Sequence, residues 1–111
     1  MELTSEHNGP VLMIAVNGRI DGLNAQQFEE DVRNLIADED KAVALDLSGL
    51  SYISSAGLRS ILITAKNLKS ANAKFALFAL PNNIMEIVRV AGFDKIIDIK
   101  DGADEAISAL S

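Results

Sequence analysis

The sequence predicts an α/β domain with a mixed β-sheet of four to five strands packed with about four helices. Three observations support this. Strand-like and helix-like segments alternate, a tight turn joins the first two strand-like segments, and no linker rich in Pro, Gly or Ser divides the chain. Since a tight turn gives antiparallel pairing and helical connections give parallel pairing, the sheet should be mixed. The 111 residues, 49% of them hydrophobic, fit one domain spanning residues 1–111.

Two strands are expected near the N-terminus. Residues 2–7 read as a short edge strand, and Asn8-Gly9-Pro10 is a turn signal. Val11–Val16 is apolar on both alternating faces, as in a strand that is covered on both sides. Residues 17–22 are expected to lead into a loop.

A helix is expected next. Asn24 is a plausible N-cap, with Gln27 three residues later as in a capping box. One apolar stripe at helical spacing follows, made of Phe28, Val32, Leu35 and Ile36. The helix should end near Ala37, before the acidic run Asp38-Glu39-Asp40, which is expected to be solvated.

In the middle of the chain, the apolar pattern predicts a second buried strand at Ala42–Leu47. Ser48–Ser54 is expected to be a loop whose apolar members, Leu50, Tyr52 and Ile53, point inward. A helical pattern begins near Gly57 and closes at Ala71-Asn72-Ala73.

Two strands and two helices are expected in the last third. Phe75–Leu80 reads as a buried strand stopped by Pro81. The helical stripe that follows ends at Gly92, a typical C-terminal cap. Phe93–Lys100 is expected to be a shorter strand, and Asp101–Ser111 a terminal helix.

Composition excludes several classes of function. The absence of Cys rules out disulfides and thiolate chemistry, and a single His rules out a multi-histidine metal site, so we expect no metal and no cofactor. A net charge of −6 disfavours nucleic acid and anionic membranes as partners. No apolar run approaches the length of a membrane span and no secretory signal is visible, so we expect a soluble, cytoplasmic protein.

Enzymatic motifs are also missing. No nucleotide-binding glycine loop and no nucleophile elbow occurs, and His7 lies in the predicted edge strand, where a structural role is expected. We therefore expect that the protein is not an enzyme.

Two polar features remain after this filter. Asp21 follows a buried strand, and Ser54-Ser55 directly precedes a helix. Each is explained singly by turn or cap hydrogen bonds, but the carboxyl ends of parallel strands would bring the two loops to one edge of the sheet. A phosphate on Ser55 would lie at a helix N-terminus, where it is tolerated, and would change the charge of that edge.

Two motifs carry a resemblance to a known family. The stretch from Asp46 to Leu58, DLSGLSYISSAGL, resembles the signature of STAS domains, and more narrowly that of single-domain bacterial anti-sigma factor antagonists. Gly18-Arg19-Ile20-Asp21 is similar to the G-x-[LI]-D element of that family. The predicted order of elements is similar to the family's arrangement over nearly the whole chain.

The resemblance implies a partner switch. In that family, the unphosphorylated antagonist binds an anti-sigma factor that is also a serine kinase, which frees the sigma factor. Phosphorylation ends the binding, and a PP2C-type phosphatase restores it. The motif places the phosphoacceptor at Ser55 and the neighbouring acidic residue at Asp21. The family often has Asp where this chain has Ser54, which makes Ser54 an alternative acceptor.

The implied partner surface and the alternatives can be stated. The kinase-binding residues are expected to be Asp21, Ser54, Ala56, Gly57, Leu58 and Arg59, on a chain that is a monomer when free. One alternative is a STAS interaction subunit of a transport or signalling complex that is not phosphorylated. Another is a module that binds a small ligand, although the sequence shows no convergent polar set beyond the two loops.

Overall fold

The computed structural model describes residues 1–111, which form five strands and four α-helices. In chain order these are β1 (Glu2–Asn8), β2 (Val11–Ile20), α1 (Ala25–Leu35), β3 (Ala42–Ile53), α2 (Ser55–Ser70), β4 (Lys74–Phe78), α3 (Asn82–Val90), β5 (Asp98–Lys100) and α4 (Ala103–Leu110). None of the helices combines the length and the apolar character that crossing a membrane requires.

The five strands form one mixed sheet in the spatial order β1-β2-β3-β4-β5. The β1–β2 hairpin is antiparallel, and the other three pairs are parallel because a helix connects the strands in each. Gly9 permits the tight hairpin turn with a φ of +59°. The predicted fold class is confirmed.

The four helices are divided unequally between the two faces of the sheet. Helices α1, α2 and α3 cover one face, where they enclose a core of 19 buried residues that includes Phe28, Ile61 and Ile84. Helix α4 covers the other face with Ala106 and Leu110, against Ala44 and Phe78. The alternation of apolar side chains on β2 and β3 therefore supplies both cores.

The two central strands extend beyond their predicted ends. Residues 17–20 and 48–53, which were expected to be loops, pair with each other as the last parts of β2 and β3. The register shifts twice along this pairing, between Ala15 and Asn17 and between Gly18 and Arg19. Gly49 makes room for the Asn17 side chain, because a Cβ atom at this position would lie 1.8 Å from Asn17 Oδ1 and that side chain would have to move. Gly18 and Gly49 therefore lie beside the two irregularities in the pairing of β2 with β3.

The predicted strand Phe93–Lys100 is only partly a strand. Phe93–Lys95 forms a 3₁₀ turn, and pairing with β4 begins at Asp98. Gly92 enters the turn with a φ of +79°, and the Ile97 N–H donates to the Phe93 carbonyl. The turn buries Ile97 and leaves Ile96 65% exposed.

The acidic run before β3 is not uniformly solvated. Asp38 and Glu39 are exposed, but Asp40 is buried, and its two carboxylate oxygens each lie 2.8 Å from a nitrogen, His7 Nε2 and the Ala37 N–H. The hydrogen bond with His7 holds the pKa of Asp40 below its ordinary value, although burial opposes the shift. His7 has the structural role expected of it.

Candidate functional site

The carboxyl ends of β2 and β3 lie side by side and define the site. Ile20 is the register partner of Ile53, and the Ser54 N–H donates to the Ile20 carbonyl at 2.9 Å. Asp21 and Ser55 each follow within two residues of this contact. The structure therefore brings the two polar loops to one edge of the sheet, as the topology predicted.

Ser54, and not Ser55, caps helix α2. Ser54 has an extended backbone, and its hydroxyl accepts a hydrogen bond from the Gly57 N–H at 3.2 Å. Ser54 is half-buried, whereas Ser55 is exposed on the first turn of the helix. The helix thus begins two residues earlier than expected, and the two serines hold different positions at its start.

Gly57 allows the first turn of α2 to pack onto the ends of both central strands. A Cβ atom at this position would lie 2.7 Å from Ile53 Cγ1 and 2.8 Å from Ile20 Cγ2. Any side chain would push the helix start away from the sheet. The glycine after the two serines therefore fixes where Ser54 and Ser55 stand relative to the Asp21 loop.

Asp21 shapes the loop that leads into α1. One of its carboxylate oxygens accepts from the Leu23 N–H at 2.9 Å, and the Asp21 N–H donates to Asn24 Oδ1 at 2.8 Å. Asn24 also donates to the Arg19 carbonyl, so its side chain does not cap α1 and the expected capping box with Gln27 is absent. The closed loop holds Leu23 outward, 98% exposed.

Arg19 and Tyr52 add a pair that the sequence did not reveal. They are register partners near the carboxyl ends of β2 and β3. The Arg19 guanidinium carbon lies 4.6 Å from the centre of the Tyr52 ring. Arg19 Nε is also 3.8 Å from Asp21 Oδ2. Tyr52 was expected to point inward with Leu50 and Ile53, but it is 40% exposed while those two are buried. The buried residues Leu47, Leu50 and Ile53 are three apart in this irregular part of β3, so strand alternation does not identify Tyr52 as exposed.

The remaining predicted site residues lie on α2. Ala56 and Arg59 are exposed, and Leu58 is buried with 7% of its surface accessible. The structure contains no cluster of three or more His, Cys, Asp or Glu side chains that could hold a metal ion. What the site offers chemically is an exposed hydroxyl, a carboxylate and several exposed apolar side chains.

Known proteins are similar to this chain in sequence and in fold. Residues 2–106 match the STAS domain family. BtrV of Bordetella bronchiseptica, named as a candidate anti-sigma factor antagonist, is 31% identical over 98% of this chain and 94% of its own length. An anti-sigma factor antagonist from Mycobacterium paratuberculosis superposes with a TM-score of 0.87 at 24% identity, covering 98% of this chain and 92% of its own.

A further structural likeness is to the Bacillus anti-sigma factor antagonist SpoIIAA in two forms. Its unphosphorylated form has a TM-score of 0.70 at 14% identity, covering 97% of this chain and 96% of its own. Its phosphorylated form has a TM-score of 0.73 at 16% identity, covering 99% and 100%. The chain belongs to the STAS domain family, and the Bordetella and Mycobacterium proteins that it matches over nearly its full length are named as anti-sigma factor antagonists.

Proposed function

We propose that this protein is an anti-sigma factor antagonist that works as a phosphorylation-controlled partner switch. Its unphosphorylated form binds an anti-sigma factor serine kinase and so releases a sigma factor. Phosphorylation of Ser55 ends this binding, and a PP2C-type phosphatase restores it. The chain is then the substrate of an enzyme and not itself an enzyme. The observation that carries the proposal is the exposed Ser55 hydroxyl at the start of α2, on the same edge as Asp21.

The local geometry favours Ser55 over Ser54 as the phosphoacceptor. The Ser54 hydroxyl is half-buried and satisfies the Gly57 N–H, so a kinase would have to pull it away from the helix cap. Ser55 is exposed on the first helical turn. A phosphate there would lie near the unpaired N–H groups of the helix N-terminus, which favour negative charge.

A phosphate on Ser55 would change the surface without requiring a different fold. It adds a charge of about −1.5 to −2 to an edge that already carries the Asp21 carboxylate. The two SpoIIAA structures support this reading, because both forms of that protein share the fold of this chain. The effect on a partner would then come from local charge and desolvation.

The same edge offers apolar contacts for a partner. Leu23 and Tyr52 are exposed on adjoining loops and strands, and Arg59 is exposed on the first turns of α2. Exposed aromatic and arginine side chains are the residue types that most often anchor protein–protein interfaces. A kinase that covers Ser55 would also cover these side chains.

The proposal is tested by incubating the purified chain with ATP and each purified anti-sigma-type serine kinase encoded in the same genome. Mass spectrometry is expected to find one phosphate on the wild type and on Ser54→Ala, and none on Ser55→Ala. The Ser54→Ala variant is the matched control. A phosphate on Ser55→Ala would overturn the Ser55 assignment, and an unmodified wild type would overturn the switch.

Binding to the same kinase supplies the second half of this test. Ser55→Asp is expected to weaken the complex by about tenfold or more, because a fixed charge replaces a neutral hydroxyl at the covered edge. Ser55→Ala should bind within about twofold of the wild type, since it removes only the hydroxyl. Equal dissociation constants for the three proteins would reject control by charge.

A further inference from the structure

Helices α1 and α2 are joined near their N-terminal ends and leave a cavity between their C-terminal ends. Near the N-terminal ends, the buried Ser60 hydroxyl donates to the Ala25 carbonyl at 3.0 Å. Near the C-terminal ends, a cavity of about 250 Å³ opens between the two helices and the loop before β3. It lies at the other end of α2 from Ser55, so it is separate from the edge where the kinase is proposed to bind.

Apolar side chains form most of the surface of this cavity. Val32 of α1 and Leu68 of α2, which are 1% and 7% exposed, contribute to its wall together with the half-buried Ile36. An apolar cavity of about 150 Å³ is enough to hold a benzene ring. The cavity between α1 and α2 therefore has room for a chain of about six carbon atoms.

The polar groups that remain free at this cavity are hydrogen-bond acceptors. Thr64, which is buried, donates its one hydroxyl proton to the Ser60 carbonyl at 2.9 Å, so its oxygen can only accept from a ligand. Asp38 is exposed at the rim, and none of the three ion pairs of the chain includes its carboxylate. A ligand that donates hydrogen bonds suits these groups.

The charges around the cavity also favour a cation. Three carboxylates and two cationic side chains line it, so its net charge is negative. The two cations already donate within the chain, Arg33 to the Glu29 carboxylate and Lys41 to the Ala71 carbonyl, each at 3.1 Å. Both helices end beside the cavity, and the carbonyl groups of their last turns add partial negative charge. The Lys41 ammonium on the Ala71 carbonyl is an example of a cation held at this position.

We infer that the cavity between α1 and α2 is a binding site for a small primary amine with an apolar chain. The chain lies on Val32, Ile36 and Leu68, and the ammonium group donates to acceptors at the rim, foremost the Asp38 carboxylate. This site does not depend on the proposed function, because none of the residues that line it belongs to the Ser55 edge.

The test uses three probes that share a six-carbon chain and differ in charge: hexylamine, hexan-1-ol and hexanoate. Each is titrated at neutral pH into the nitrogen-15-labelled chain, and the amide chemical shifts are followed by NMR. Hexylamine is expected to shift the signals of residues 32–41 and 64–72 and to leave those around Ser55 unchanged. Hexan-1-ol should bind about fivefold more weakly because it has no charge for the rim, and hexanoate more weakly still.

Two matched pairs of variants locate the site. Asn67→Phe is expected to weaken hexylamine binding by about tenfold or more, because Asn67 lines the cavity and the ring would occupy it. Asn34→Phe, the same substitution at an exposed position of α1 outside the cavity, should bind as the wild type does. Asp38→Asn should weaken binding by about threefold, and Glu39→Gln, at the next carboxylate along the chain, should leave it unchanged.

Each of the other outcomes overturns a stated part of the inference. Hexanoate that binds as tightly as hexylamine would overturn the assignment of an amine. Equal weakening within either pair of variants would show that hexylamine responds to the general charge or surface of the chain, and would overturn the site. Unchanged spectra with hexylamine at about 10 mM would overturn it as well. Phosphorylation of Ser55 is measured separately, so the failure of this site leaves the proposed function standing, and the reverse holds too.

Discussion

Asp21 and Asp40 flank the two central parallel strands at opposite ends of the sheet, and their surroundings differ. Asp21 follows β2, its side chain is 28% exposed, and its short hydrogen bonds stay within its own loop. Asp40 precedes β3, its side chain is 8% exposed, and it joins His7 of β1 to the end of α1. A carboxylate that links distant segments holds the fold together. One that is satisfied within its own loop remains accessible to the partner proposed above.

The bonds of Asp40 explain why the acidic run can bury one of its members. Since the pKa of Asp40 is lowered, the carboxylate is ionised near neutral pH and accepts both hydrogen bonds, so His7 Nε2 carries the donated proton. A second hydrogen bond lies at the same end of the sheet as Asp40. The Lys41 ammonium donates to the Ala71 carbonyl at the end of α2. At the other end, the Ser60 hydroxyl of α2 donates to the Ala25 carbonyl at the start of α1, but no hydrogen bond joins residues 21–24 to α2.

Removing the Asp40 and Asp21 carboxylates in turn tests whether the first supports the fold more than the second. Of the predictions made here, it has the largest expected effect on the free energy of unfolding. Asp40→Ala should lower the free energy of unfolding by about 2 kcal/mol, because it removes a buried carboxylate that accepts hydrogen bonds from both His7 and the Ala37 N–H. Asp21→Ala should lower it by less than about 1 kcal/mol, since water reaches the freed N–H groups. Urea unfolding followed by circular dichroism measures both. Equal losses for the two variants would remove the distinction between the two ends.

Ser54 and Ser55 provide the same comparison within the site, between a residue that supports the fold and one that is exposed. Ser54→Ala should cost about 1 kcal/mol of unfolding free energy, because it removes the cap of α2. Ser55→Ala should change stability by less than about 0.5 kcal/mol, since an exposed position outside the cap is replaced by a strong helix former. Thermal unfolding of the two variants provides the comparison. A larger loss at Ser55 would mean that its hydroxyl serves the fold and is not free for modification.

The order of the elements followed from local pattern, but the ends of β2 and β3 did not. Glycine is typical of turns, and only the pairing of strands that are distant in sequence shows that Gly18 and Gly49 lie inside β2 and β3, beside irregularities in the register. Asp40 was misread for a similar reason, because its burial depends on His7, which is 33 residues away. Helical and strand periods report local geometry, and they carry no information about such long-range partners.

The candidate site was only partly predictable for a related reason. Asp21, Ser54 and Ser55 were found because polar residues at the ends of buried strands stand out from an apolar pattern. Tyr52 was not, because an exposed aromatic residue has the same sequence signal as a core residue. Its exposure becomes visible only when the register of β3 is known.

The smallest expected effect is the pH dependence that the Asp40 hydrogen bonds give to the free energy of unfolding. The pKa of Asp40 is lowered in the folded chain by the His7 hydrogen bond, and burial partly offsets this. Its stabilising contribution is therefore fully present above the unfolded value of 3.8 and is lost as the pH falls through the lower folded value. Urea unfolding at pH 5 and pH 3 should show a gap between wild type and Asp40→Asn that narrows at the lower pH. Asp38→Asn, at an exposed carboxylate two residues away, should show no such narrowing, and a constant gap for Asp40→Asn would mean that its charge contributes nothing to holding β1 against α1.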